Sequence, residues 1–209
     1  MIPRNGVRLS GSKTILRSFE RVDCDRMAMW VKHSNPLFVK YDIPQRTQGE
    51  WDDWFRERIL PEDTYAFSID ETSGRMVGWL VLREVCTEER RASLGIDLNP
   101  ECLYQGLGSD AINTILNEFF GPWGFRAMWL EVSAANVAAQ WCYGKCGFMI
   151  VGRKWWNETH LTQALLLEDE RLREVRRFFR SRDGMFEQLY YDMKVTADSW
   201  RSRMEQCDF

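Results

Sequence analysis

The sequence predicts a single α/β domain with a mixed, mostly antiparallel central sheet and helices on both faces. Three observations carry this. The chain has 209 residues, 44% of them hydrophobic, which is enough for one sizeable core and too little for two full domains. Between residues 65 and 98, three strand patterns follow one another across tight polar turns, as in an antiparallel meander. Beyond residue 105 the pattern becomes helix, strand, helix, strand, which adds helices to the faces of a mixed sheet.

Taken in order, residues 1–12 are expected to form an unstructured N-terminal arm, 13–200 the domain, and 201–209 a tail. Thr14 to Phe19 alternates as a first strand, and Asp23 to Lys32 reads as a helix with Met27, Trp30 and Val31 on one face. Thr47-Gln-Gly-Glu50 is a capping box, so a second helix starts there and carries Trp51, Trp54, Phe55 and Ile59. Tyr65–Ile69 and Met76–Leu82 flank a polar turn ending in Gly74, and Ala92–Leu98 is the third strand of the meander. Gly106-Leu-Gly108 opens a helix with Ile112, Ile115, Leu116, Phe119 and Phe120 at helical spacing. Ala127–Val132 is a short buried strand, Asn136–Lys145 a helix, and Gly147–Val151 the start of another strand. Residues 160–180 describe an amphipathic helix through Leu161, Leu165, Leu172, Val175 and Phe179. Asp183-Gly184 turns the chain into a final strand, Phe186 to Val195, with a short helix around Trp200.

Composition narrows the function. The 28 Lys+Arg nearly balance 31 Asp+Glu, so no strong field draws the chain to nucleic acid or an anionic membrane. No apolar run approaches the roughly 18 residues of a membrane span, and the first residues lack a signal-peptide core. Six scattered cysteines with no C-x-x-C, and two histidines, argue against a disulfide framework or a metal site. A reducing cytoplasm is the expected location.

The informative stretch is Asn99-Pro-Glu-Cys-Leu-Tyr-Gln-Gly-Leu-Gly-Ser-Asp-Ala111. Gly106 and Gly108 stand at a strand-to-helix turn, where bare N–H groups at the positive end of a helix dipole suit a phosphate or pyrophosphate. A tight turn that merely starts a helix is the alternative. The stretch also satisfies G-x-G-x-x-A, with Glu131 following Gly108 at about the distance of a ribose-binding acid. A dinucleotide-binding oxidoreductase, however, needs a parallel βαβ unit leading into a doubly wound sheet. Here the fingerprint follows an antiparallel meander, and too little chain remains for a substrate domain.

Asn136, Ala139, Tyr143, Gly147 and Phe148 then fall into N-x-x-A-x-x-x-Y-x-x-x-G-F after the next strand, and Asn99-Pro-Glu101 precedes Gly106-Leu-Gly-Ser-Asp-Ala111. On these two blocks, in this order, the chain resembles the GNAT superfamily of acyl-CoA-dependent N-acyltransferases. The resemblance is closest to the branch of the ribosomal-protein and spermidine acetyltransferases, and it spans roughly 13–156 and 183–200. There are two departures. Leu103 and Tyr104 stand where the family has Gln or Arg and a small residue, and the 160–180 segment replaces a short link.

The resemblance implies a GNAT-like fold and transfer of an acetyl group from acetyl-CoA to a primary amine by direct attack, with CoA as product. The strands ending at Leu98 and Val132 would hold the pantetheine arm, with Asn99 at the first strand's end. The pyrophosphate would lie on the loop of Leu103, Tyr104 and Gln105, then Gly106, Leu107, Gly108 and Ser109. A backbone N–H near Leu98 would polarise the thioester carbonyl. Asn136 and Ala139 would flank the arm, although Asn136 serves equally as a helix cap. Tyr143 would be the general acid for the leaving thiolate, whose pKa is about 8.5 in water. An alkylammonium, of pKa about 10.4, must lose a proton before it attacks. Asp97 and Glu131 are candidate bases, Glu84 also lies on a strand, and a water chain could replace all three.

The acceptor stays open between a protein N-terminus and a small amine such as an amino sugar, amino acid or polyamine. Carboxylates across 41–63, including Asp42, Glu50, Asp52 and Asp53, could form a cationic-substrate mouth or a solvated helix face. Trp51 and Trp54 are core by spacing, and Cys142 with Cys146 lacks the further ligands a metal needs. The 160–180 stripe would cover the acceptor groove or dock a second subunit, giving a homodimer. The competing reading from another class is a non-catalytic acyl-CoA-binding sensor or interaction module.

Overall fold

The computed structural model describes residues 2–159, 161 and 163–207. Its strands are β1 (Arg8–Ser10), β2 (Thr14–Ser18), β3 (Tyr65–Glu71), β4 (Met76–Cys86), β5 (Arg91–Leu98), β6 (Ala127–Ser133), β7 (Met149–Asn157), β8 (Phe179–Arg182) and β9 (Met185–Thr196). They form one sheet in the order β1-β2-β3-β4-β5-β6-β9-β7, with β8 paired to β9. Every pairing is antiparallel except β5 with β6. The helices are α1 (Arg21–Met27), α2 (Gln48–Arg58), α3 (Leu107–Phe120), α4 (Val137–Lys145), α5 (Gln163–Glu168) and α6 (Ala197–Cys207).

Both faces of the sheet are covered. Trp79 and Val81 of β4 point to one side, where they meet Phe19, Met27 and Trp51. Leu80 and Leu82 point to the other, against Ile112, Ile115 and Phe119 of α3. This is why Met76–Leu82 is apolar at every position but one instead of alternating. Each such side chain contributes about 1.5–3 kcal/mol through burial. The Thr47–Glu50 capping box forms as the spacing predicts, and Trp51, Trp54 and Trp79 interlock edge-to-face at 5.5–5.6 Å. Those tryptophans are core.

Four expectations need correction. The N-terminal arm is ordered in part: Ile2 and Val7 are buried and β1 extends the sheet. The first helix is shorter than Asp23–Lys32. It starts at a Glu20–Asp23 capping box, Arg17 and Arg26 hold the buried Asp23 at 2.7 and 2.6 Å, and it ends by Ala28. At the other end, α6 runs through most of the expected tail.

The segment 160–180 is not one helix. After α5, Asp169 accepts the Arg171 N–H and starts a 3-10 stretch, Glu170–Phe178, which leads into β8. Arg176 donates to the Leu166 and Leu167 carbonyls at 2.9 and 2.7 Å, satisfying acceptors that α5 leaves open. Leu161, Leu172 and Phe179 are buried against Leu37 and Ala135, with Leu166 in the place expected of Leu165, which is exposed, so most of this stripe packs within the chain. Asp183 and Gly184 both have positive φ, 52° and 77°, as a tight β8–β9 hairpin turn requires.

Candidate active site

The site begins where β5 and β6 part. They pair only through Arg91–Ala127, Ala92–Met128 and Ser93–Trp129, and then splay. From Leu94 to Leu98, β5 bonds β4 on one side, and its other edge opens toward β6. An extended arm can hydrogen-bond there as an added strand. The opening leads into a cavity of about 800 Å³ that runs from the 103–109 loop to the segment containing Trp30, His33 and Tyr41.

The loop is built by backbone handedness. Tyr104 and Gly106 have φ of +63° and +80°, and Gly106 caps the 14-residue α3. The α3 N-terminus and the loop amides form an anion cradle. Gly108 packs closely: a Cβ there would lie a tight 3.3 Å from Leu98 Cδ1 and in ordinary contact, 3.6 Å, with Cys142 Sγ. Lys13 Nζ donates to the Gln105 carbonyl at 3.0 Å and so puts a cation beside the loop. The β1–β2 turn holds that lysine in place because Asp110, in the first turn of α3, accepts five bonds from Ser12, Lys13 and Thr14. Bare glycines, a helix N-terminus and an ammonium fit a diphosphate.

The other residues expected at the site fall as follows. Leu98, Leu103, Leu107, Ser109 and Ala139 line the cavity, as do Asn136 and Tyr143. Asn99 is buried and caps the short turn Pro100–Cys102, its Oδ1 accepting the Glu101 N–H at 3.2 Å, so its side chain faces that turn. The Gln105 amide bonds the Glu101 carbonyl. Tyr104 stands 83% exposed on the loop. Asn136 Oδ1 caps α4 through the Ala139 N–H at 3.1 Å. Ser109 Oγ lies 3.2 Å from Cys142 Sγ.

Tyr143 sits between loop and splay, 6.0 Å ring-to-ring from Phe148. Among the described residues its hydroxyl has no protein partner. Burial, then nearby Cys142, Asp97 and Tyr41, pushes its pKa well up, so it is a phenol at neutral pH. Asp97 shares this cavity. Burial raises its carboxyl above the usual carboxylate range, against the opposing pull of Arg83, Trp79 and His33. Glu131 is at the rim, half exposed and paired with Lys154, which also holds Asp192 at 2.8 Å. Of the acidic residues in 41–63 only Asp42 reaches the cavity. Glu50 caps α2, while Asp52 and Asp53 pair with Arg21 and Arg56. Hydrogen bonding from Cys146 outweighs burial and lowers the Cys142 thiol to about 7, aided by Ser109. Among the described residues no cluster could hold a metal ion, and no helix is long and apolar enough to cross a membrane.

The cavity also gathers residues that the sequence patterns did not mark. His33 Nδ1 lies 2.8 Å from Asp42 Oδ1, and its ring packs edge-on to Phe38 and Tyr41. Arg83 reaches in from β4. Asn35-Pro36, which caps and starts the 3-10 turn Pro36–Tyr41, is the local signal that could have located Phe38 and Tyr41.

Comparison with known proteins agrees with this geometry. A family profile described as acetyltransferase (GNAT) domain matches residues 13–149. The spermidine N(1)-acetyltransferase of Vibrio cholerae serotype O1 is 23% identical over 168 residues, which cover 80% of this chain and 92% of that protein. A crystal structure of spermidine N-acetyltransferase from Vibrio cholerae in complex with CoA and spermine superposes with a TM-score of 0.66 at 19% identity, covering 90% of this chain and 98% of that one. A dodecameric structure of the Vibrio cholerae enzyme in an intermediate state gives a TM-score of 0.63 at 19% identity, covering 92% and 98%.

Proposed function

The chain belongs to the acetyltransferase (GNAT) family and moves an acetyl group from acetyl-CoA to an amine, and on that premise we propose which of its residues carry the reaction. One catalytic domain, about 13–200, does the work, with β1 as an N-terminal extension of its sheet. The observation that carries the assignment is the splay after Ser93 and Trp129, which opens between the Gly106–Gly108 loop and Tyr143.

Gly106, Leu107, Gly108 and Ser109 receive the pyrophosphate through backbone amides, with Tyr104 and Gln105 shaping the approach and Lys13 adding charge. The edge of β5 from Leu94 to Leu98 holds the pantetheine arm, and an amide near Leu98 steadies charge on the thioester oxygen. Asn136 and Ala139 form the opposite wall. Tyr143 protonates the departing thiolate. A phenol kept neutral by burial is suited to that task, since it holds its proton until a strong base appears beside it. Asp97 is the base. Its raised pKa brings a carboxylate closer to the pH at which a base is both ionised and effective. Glu131, held by Lys154 at the rim, is the weaker candidate. The acceptor is a small primary amine, which would enter at the end of the cavity lined by Trp30, His33 and Tyr41.

The assembly is a homo-oligomer. β7 is an edge strand whose Met149, Ile150 and Val151 are each more than half exposed, and a second copy would cover them.

Calorimetric titration with acetyl-CoA, CoA and NADP tests the cofactor, with micromolar binding of the two CoA species and none of NADP expected. Tyr143→Phe should keep that affinity and lose at least tenfold in kcat. Full turnover in Tyr143→Phe would remove the general acid.

A further inference from the structure

The acceptor end of the cavity holds a cation that the reaction above does not use. Arg83 has no ion pair or hydrogen bond with any described residue. The charges that act on it are Asp97 and Glu84, of opposite sign, and Arg58, of like sign. The basic side chains of the 33–41 segment are matched: His33 bonds Asp42, and Lys40 is held by Gln188 and Tyr190 at 2.6 and 2.7 Å.

Two features of the sheet place this guanidinium. The β4–β5 register slips between Arg83 and Cys86, and Glu84 adopts φ of +52°. Such a bulge re-aims the side chains around it. Across the strand, Gly95 leaves the surface of β5 bare. A Cβ there would lie 3.4 Å from Arg83 Nη2 and 3.0 Å from Val81 Cγ1, so the guanidinium rests over Gly95. Gly95 is two residues from Asp97, roughly 7 Å along a strand. The cavity therefore presents a planar cationic fork and a carboxylate a short molecule's length apart.

We propose that the acceptor is an amine that also carries an anionic group, a carboxylate or a phosphate, within a few bonds of its nitrogen. Arg83 receives the anion and Asp97 faces the ammonium. An ammonium and an anion two or three bonds apart, each adding one hydrogen bond of about 2.8 Å, span the gap. A polyamine has no group for Arg83 and would set like charges together. A peptide N-terminus has no α-carboxylate to offer. The proposal rests on the acetyltransferase reading and narrows it.

The test is an acceptor panel on the full chain, following thiol release from acetyl-CoA. It holds free amino acids and their amides, 2-aminoethylphosphonate (a phosphate analogue three bonds from its nitrogen) and ethylamine, and spermidine. At least one anionic amine should exceed its neutral counterpart tenfold or more in kcat/KM, and which one does separates carboxylate from phosphate. Arg83→Gln should erase that ratio through KM, with acetyl-CoA affinity unchanged, and Arg83→Lys should keep part of it. The proposal is overturned if spermidine or the neutral amines are the better acceptors, if no anionic amine is acetylated by protein that binds acetyl-CoA, or if Arg83→Gln leaves the ratio intact. Failure to bind acetyl-CoA at all would instead sink the reading beneath it.

Discussion

Replacing Asp110 by Asn should loosen the N-terminal turn and the cofactor loop together. Asp110 Oδ1 accepts from the Ser12 amide and hydroxyl, and Oδ2 from the Lys13 amide and the Thr14 amide and hydroxyl, all at 2.6–3.0 Å. An asparagine keeps one acceptor oxygen and turns an NH2 toward donors, so two or three of the five bonds are lost. Hydrogen bonds to a charged group contribute about 1.5–3 kcal/mol each, but they share one carboxylate and solvent reaches it, so the net cost is about 2–3 kcal/mol. For a chain of this size that is roughly 4–12 °C in Tm. Burial raises the Asp110 pKa, yet the Ser12, Lys13 and Thr14 donors outweigh it and leave the folded value lowered. Stability from this group is therefore full above the unfolded carboxyl pKa and is lost as pH falls through the lowered folded value. Wild type and Asp110→Asn should thus differ in Tm at pH 7 and converge toward the acid end, in melts followed by circular dichroism. Because Lys13 hangs from the same turn, acetyl-CoA Kd should rise as well. A variant melting within 2 °C of wild type at pH 7 would refute the account of the turn.

Asp97→Asn should lower kcat/KM by about 10²–10⁴. In wild type the rate should fall as pH drops through a pKa above the usual carboxylate range, since only the ionised form accepts a proton; a variant with an unchanged profile would exclude Asp97 as base. Gly106→Ala forces a side chain into a left-handed position at about 1–2 kcal/mol, so acetyl-CoA should bind roughly 5–30-fold more weakly, and a Kd within twofold would contradict the loop's role. Cys142, with its thiol near 7 and facing the cavity, should alkylate with iodoacetamide at pH 7.5 and be shielded by acetyl-CoA. Equal labelling rates with and without acetyl-CoA would place the thiol outside the cofactor's path.

The parts of this molecule legible in the sequence are those written in neighbouring residues. The meander from Tyr65 to Leu98 follows from alternation and polar turns, α2 from its capping box, and the loop from Gly106 and Gly108 ahead of an apolar helix. The 160–180 segment misled because apolar spacing fixes which side is buried and not whether one helix is continuous. Asp169 and Arg176, through bonds that no periodicity reports, break it in two. Arg83 was invisible for a different reason. On β4 it looks like a polar residue closing an apolar run, and only its position over Gly95, twelve residues away, gives it an object. His33 and Asp42 meet because a 3-10 turn folds back between them. Local propensity carries neither relation.

The order in which the sheet is threaded has a consequence for the protein's synthesis. β6, one wall of the splay, is joined to β5 by three residue pairs and to β9 by seven. β9 is translated well after β6, following α4, β7 and the segment after it. A nascent chain can thus assemble the β1–β5 meander and dock α3 on it early, while the wall facing Leu98 stays without most of its partners. Contacts this distant in sequence form slowly. The emerging polypeptide should therefore acquire affinity for acetyl-CoA abruptly, when β9 inserts between β6 and β7.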